Sequence, residues 1–164
     1  MQSNMKVYFA ADHAGIRMKA ALLALVENKG TEVEDLGAFD FAPDDDYPEF
    51  VTPLAKRVAS EPDTFGIICA GSGQGEAMCA NRVKGARAAV LYALAPSTEV
   101  LDREGAHSQD GYDIVRLARK HNNANILSIG ARFVSLDEAT EAVNVFLATS
   151  FSHEARHRRR IEAF

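Results

Sequence analysis

Gly71-Ser72-Gly73-Gln74-Gly75-Glu76 combines two things that proton transfer beside an anion needs: accessible backbone N–H groups and a carboxylate. Glycines at a turn let the backbone approach a negative oxygen, and a helix N-terminus adds partial positive charge there. The stretch follows the apolar run Phe65 to Ala70 and opens a helical segment. No Lys-Ser/Thr pair follows it, so it is not a Walker A loop. Glu76 stands where a dinucleotide fingerprint needs glycine or alanine, which argues against a nucleotide-binding domain. A carboxylate in a first helical turn is ordinarily a stabilising end charge of about 0.3–1 kcal/mol. Beside an anion-binding turn, Glu76 is also placed to act as a base.

Four further clusters carry polar chemistry. Asp12-His13-Ala14-Gly15 closes the first apolar run; Asp12 by itself reads as a helix cap, and His13 beside it turns the pair into a candidate site. Asp46-Tyr47-Pro48 lies in an acidic loop and by itself is turn chemistry. His121-Asn122-Asn123 has the composition of an exposed helix end. Arg156, Arg158, Arg159 and Arg160 crowd a C-terminal stretch of an otherwise acidic chain. Arg156 and Arg160 are four apart on one helical face, a forked pair suited to one phosphate. Apart from that basic cluster, every candidate is expected where a strand ends.

Alternation of strand-like and helix-like segments must position these groups. Lys6 to Ala11, Glu32 to Leu36, Phe65 to Ala70, Arg87 to Tyr92 and Asn125 to Ile129 read as strands. Ile16 to Asn28, a segment opening at Pro48, Glu76 to Arg82, Tyr112 to Lys120, Asp137 to Leu147 and a segment from about His153 read as helices. That order predicts βαβ units around a parallel sheet, with ligands at the carboxyl ends of the strands. Ala93 to Gly111 breaks the rhythm. It contains Pro96, Gly105 and Gly111 and is long against the usual 2–6 residues of such connections, with room for one short helix.

Composition narrows the class. The 164 residues are 47% hydrophobic and carry 18 basic against 23 acidic side chains, a net charge of −5. That balance offers no global field for nucleic acid or acidic membranes. The two cysteines, Cys69 and Cys79, lack a CxxC spacing and read as reduced thiols of a cytoplasmic protein. The longest apolar run, Ala88 to Ala95, falls far short of the roughly 20 residues of a membrane span. One domain over residues 1–164 is expected, with a loop insertion at 93–111 and a C-terminal helix at about 153–164.

Taken together, these residues resemble the type B ribose-5-phosphate isomerases and their relatives acting on six-carbon sugar phosphates. Asp12-His13-Ala14-Gly15, Asp46-Tyr47-Pro48, Gly71 to Gly75, Ala80-Asn81-Arg82-Val83, Arg87-Ala88-Ala89, His121-Asn122 with Ala124-Asn125, Gly130-Ala131-Arg132 and Arg156-His157 with Arg159-Arg160 occur in the family's order. The resemblance implies a Rossmann-like three-layer α/β/α sandwich with five parallel strands and a homodimer or tetramer with sites near the subunit interface. It implies no metal and no organic cofactor. It assigns Glu76 as the base that moves a proton between C1 and C2, since Ala70 stands where one branch of the family has a catalytic cysteine. Gly71, Ser72, Gly73 and Gly75 would stabilise the enediolate oxygen. His121 and Asp12 would open the sugar ring, and Asn122 and Tyr47 would hold its hydroxyls. His13, Arg132, Arg156 and Arg160 would bind phosphate. The implied reaction interconverts ribose 5-phosphate and ribulose 5-phosphate; six-carbon substrates and a non-catalytic sugar-phosphate sensor are the alternatives. A sensor has no use for Glu76, Asp12 and His121 together. The family usually passes from the Arg87 strand to the His121 motif in about half the residues used here, and the surplus, within Ala93 to Gly111, is expected near the mouth of the site.

Overall fold

Strand residues of alternating orientation feed two separate apolar layers, and this period-two pattern builds the architecture. The computed structural model describes residues 5–164. Its strands are β1 (Lys6–Ala11), β2 (Glu32–Asp35), β3 (Thr64–Ala70), β4 (Ala88–Leu91) and β5 (Ile126–Gly130). Its helices are α1 (Ile16–Asn28), α2 (Pro48–Ser60), α3 (Gln74–Ala80), α4 (Asp113–Asn122), α5 (Leu136–Ala148) and α6 (Ala155–Glu162). Val7, Phe9, Ala11, Ile67, Cys69, Leu127 and Ile129 point to one face, where α1, α4 and α5 cover them with Leu22, Val26, Val115, Val143 and Phe146. Tyr8, Ala10, Ile68 and Ile126 point to the other, under Val51, Leu54, Ala55 and Val58 of α2 and Ala80 of α3. The result is the expected three-layer α/β/α sandwich.

All strand pairs are parallel, in the order β2-β1-β3-β5-β4. The chain leaves β1 toward β2 on one side and resumes at β3 on the other, so the strand order reverses between β1 and β3. Ligand crevices of open α/β sheets form at such a reversal, outside the carboxyl ends of the strands. Asp12-His13 follows β1 and the glycine turn follows β3, so both flank that point.

Element boundaries moved by only a few residues from the sequence reading, but two expectations fail. Residues 93–111 contain no helix; they form turns held by short-range bonds such as Leu101 N–H to the Ala106 carbonyl, 2.7 Å. Asp12 does not cap α1 directly, because Gly15 holds the cap position. Asp12 Oδ1 instead accepts from the N–H groups of Ala14 and Gly15, at 2.9 and 3.1 Å, and so fixes the turn between β1 and α1. No described helix is long and apolar enough to cross a membrane.

Close packing of α1 on β3 explains Gly15. A Cβ there would stand 1.8 Å from the Cys69 carbonyl oxygen, a contact that only backbone movement can relieve. Gly15→Ala is therefore expected to destabilise by about 1–3 kcal/mol or more. Thermal unfolding should register it as a midpoint lowered by about 2–4 °C per kcal/mol for a chain of this size. An unchanged midpoint would mean that α1 is free to slide on the sheet.

Candidate active site

Carboxylates, glycines and a histidine converge at the carboxyl edge of β1 and β3. Gly73 opens the turn in a left-handed conformation, φ +75°, and its carbonyl accepts a 2.8 Å hydrogen bond from the fully buried Ser128 hydroxyl of β5. Helix α3 then starts at Gln74, and its first-turn N–H groups have no intrahelical acceptor. Tyr47 lies across the turn so closely that a Cβ on Gly75 would sit 2.6 Å from its hydroxyl. The Arg132 guanidinium covers Gly71 from the other side, 3.3 Å from where a Cβ would be. Ser72 joins the turn by accepting from Gln74 N–H at 3.4 Å.

Glu76 is 5% exposed and Asp12 8% exposed, and the two carboxylates face each other. Burial raises the affinity of Glu76 for its proton, and the nearby Asp12 charge raises it further, against a backbone hydrogen bond that lowers it. His13 Nδ1 lies 2.7 Å from Asp45 Oδ1, and this partner lifts the imidazole pKa. Arg132 stands close enough to His13 for its charge to oppose protonation of the imidazole, and both lie next to the carboxylate pair. The Cys69 thiol is fully buried on β3 and pushed up to about 12 by that burial, so it stays protonated near neutral pH. Among the described residues, no three His, Cys, Asp or Glu side chains cluster closely enough to hold a metal ion.

His121, Asn122, Arg156 and Arg160 are not part of this constellation. The expectation that His121 and Asn122 sit where a strand ends is wrong. They end α4, which runs antiparallel to the strands and delivers the chain to the start of β5. They therefore lie at the opposite, amino edge of the sheet, separated from the glycine turn by the length of β5, about 16 Å at about 3.3 Å per residue. Asp12 and His121 consequently cannot touch one sugar within one protomer.

At that amino edge the groups form a second constellation. The His121 ring packs on the His157 ring with centroids 4.3 Å apart. His157 is 2% exposed, and its Nδ1 is held by the Ser152 hydroxyl at 2.7 Å. Burial, His157 and the basic neighbours Lys120 and Arg156 all depress the His121 pKa, which favours a neutral imidazole. Arg156 and Arg160 line the same cavity of about 280 Å³ as His121 and His157. Asn122, the next residue along α4, lines a neighbouring cavity with Arg87 and Phe164.

Three contributors escape sequence reasoning. Asp45 stands 32 residues from His13 within a run of three aspartates, and nothing in the spacing separates it from Asp44 or Asp46. Ser128 looks like an ordinary strand serine. His157 enters the sequence reading only within the Arg156-His157 motif, with no role attached to it. Conversely, several residues carrying the family resemblance have structural work. Asn81 pairs with both backbone groups of Ala88, and Asn125 accepts from Arg87 N–H at 2.7 Å and donates to the Gly85 carbonyl at 2.9 Å.

A parallel sheet whose order reverses between β1 and β3, with a glycine turn and a buried acid at that reversal, has the layout of an α/β ligand-binding or catalytic domain. The chain belongs to the Ribose/Galactose Isomerase family, whose model matches residues 7–100 and 105–164. It is 38% identical to ribose-5-phosphate isomerase B of Mycolicibacterium paratuberculosis over 158 residues, 96% of this chain and 88% of that protein. Ribose-5-phosphate isomerase B of Mycoplasma genitalium with bound ribulose-5-phosphate superposes with a TM-score of 0.81 at 32% identity, covering 97% of this chain and 93% of that one. A ribose 5-phosphate isomerase of Thermotoga maritima gives a TM-score of 0.80 at 35% identity, covering 97% and 96%.

Burying Glu76 has a thermodynamic consequence with a definite sign. Its folded-state pKa is raised, so the protein binds that proton more tightly than the unfolded chain does. The associated stability is present below the ordinary carboxylate range and is lost as pH rises through the raised value. Glu76→Gln removes the charge but keeps the shape. It should raise the melting midpoint at pH 8, with the difference from wild type shrinking as pH falls toward 4. A midpoint lowered at pH 8 would show that the carboxylate is paired rather than destabilised.

Proposed function

We propose that this chain is an aldose–ketose isomerase that interconverts ribose 5-phosphate and ribulose 5-phosphate through a cis-enediolate. The observation that carries the reading is Glu76: a buried carboxylate, beside a second one, at the mouth of a glycine turn. Glu76 takes the proton from C2 of the open-chain aldose and returns it to C1, the hydroxyl proton moving between O1 and O2. The N–H groups of Gly71, Gly73 and Gly75 and the Ser72 hydroxyl face the oxygen that becomes negative. Donors aimed at developing charge in a water-poor site are the strongest common source of rate enhancement. Tyr47 is positioned over the turn to hold a sugar hydroxyl, and His13 and Arg132 supply positive charge for phosphate.

Ring opening and full phosphate binding call on the groups at the amino edge, and one chain holds these too far from Glu76. We infer that a second copy presents its His121, Asn122, Arg156 and Arg160 to this site, so that a symmetric dimer makes two composite sites. His121, held neutral by its surroundings, accepts the anomeric hydroxyl proton, and as the bond from C1 to the ring oxygen breaks the carboxylic acid form of Asp12 gives that oxygen a proton. Arg156 and Arg160 clamp the phosphate.

The test is a panel of five- and six-carbon aldose phosphates, assayed for ketose formation with wild type and Glu76→Gln. Ribose 5-phosphate should be the best substrate. Glu76→Gln should lower kcat by roughly 10²–10⁴-fold, the usual contribution of a general base. Incorporation of solvent deuterium at C2 should fall in parallel. Deuterium exchange at the wild-type rate in Glu76→Gln would show that another group moves the proton. Preference for a six-carbon phosphate would keep the chemistry and replace the substrate.

A further inference from the structure

The loop at 93–111 was expected at the site mouth because it begins at the carboxyl end of β4. The structure puts its middle elsewhere. Val100, Leu101, Asp102 and Arg103 line the amino-edge cavity together with His121, Arg156 and Arg160. The family model matches the chain on both sides of residues 101–104 and leaves that stretch unmatched. Arg103 is thus a basic group, outside the family pattern, placed on the wall of the cavity that holds the two clamp arginines.

We propose that Arg103 is a third phosphate-binding arginine, which this chain adds to the clamp of Arg156 and Arg160 through its enlarged loop. The proposal rests on the reading of that pair as the phosphate site. Three features of the loop support it. Asp102 Oδ1 accepts from the N–H groups of Glu104 and Ala106, at 3.1 and 3.0 Å, which ties down the turn that carries Arg103. Those bonds are the main reason the Asp102 carboxyl is held below its usual range, so this acid is occupied by the backbone. Arg103 makes no ion pair among the described residues, whereas Arg156 Nε already has Glu154 Oε2 at 2.8 Å. The guanidinium at 103 is therefore free to meet an incoming dianion. The loop is also anchored at its far end, where Arg116 forks onto both oxygens of Asp110 at 2.6 and 2.8 Å and Ser108 bonds Asp113.

A third arginine would act mainly on the non-reacting end of the substrate, that is, on binding rather than on the proton-transfer step. Its exposed position makes the contribution sensitive to salt. The experiment compares wild type with Arg103→Ala, Arg103→Lys, Arg156→Ala and Arg158→Ala. KM for ribose 5-phosphate and competitive inhibition by inorganic phosphate are the readouts, at low and high ionic strength. Arg103→Ala should raise KM and the phosphate inhibition constant by about three- to tenfold at low salt, a charge-assisted bond's worth at an exposed site. Arg103→Lys should recover part of that loss, and Arg158→Ala, which does not line the cavity, should match wild type. If Arg103→Ala stays within twofold of wild type in both constants while Arg156→Ala weakens both, the third arginine is refuted and the clamp stands. If Arg156→Ala also leaves both unchanged, the phosphate site itself is misplaced and the proposal falls with it.

Discussion

Five strands running in one direction impose the constraint from which the rest follows. Each crossover must carry the chain from the carboxyl edge of the sheet back to the amino edge before the next strand can begin. Groups that follow strands, namely Asp12, His13, the glycine turn with Glu76, and Arg132, collect at one edge. Groups that end α4 or belong to α6, namely His121, Asn122, Arg156 and Arg160, collect at the other. A chain with this topology cannot bring Glu76 and the Arg156–Arg160 pair to the same small ligand. The proposed division of labour between two copies answers that constraint.

Tight packing at the carboxyl edge surrounds a carboxylate whose burial is costly. Burial strips hydration from Glu76, and the Asp12 carboxylate opposes its ionisation further. The fold holds it regardless, through elements that have little freedom. Ser128 fastens the Gly73 carbonyl, Tyr47 leaves no room for a side chain at 75, and Gly15 lets α1 press on β3. Stability given up at the buried Glu76 carboxylate is offset by the two apolar layers around the sheet.

The architecture was legible in the sequence because periodicity and punctuation are local. Phe65 to Ala70 followed by three spaced glycines already reads as a strand and a turn, and only one β–α order accommodates the series. Glu76, Asp12 and His13 were legible for the same reason, since each adjoins the end of a strand. What could not be read is which edge a helix end reaches and which distant residues meet there. His121 looked like a strand-end residue until the direction of α4 placed it at the amino edge. Asp45 and Ser128 act across 32 and 55 residues, a separation that leaves no trace in spacing. The 93–111 loop shows the same limit: its starting point was evident, and its destination beside Arg156 and Arg160 was not.

Division of one active site between two copies is the central claim, and subunit mixing measures it directly. Glu76→Gln and His121→Ala damage opposite edges, so each homodimer contains only defective sites. Co-expressed in equal amounts, half of the dimers are mixed, and each mixed dimer assembles one site with Glu76 and His121 both intact. The account predicts recovery of about a quarter of wild-type isomerase activity on ribose 5-phosphate. Activity no greater than that of the two variants assayed separately would contradict it and confine the site to a single chain.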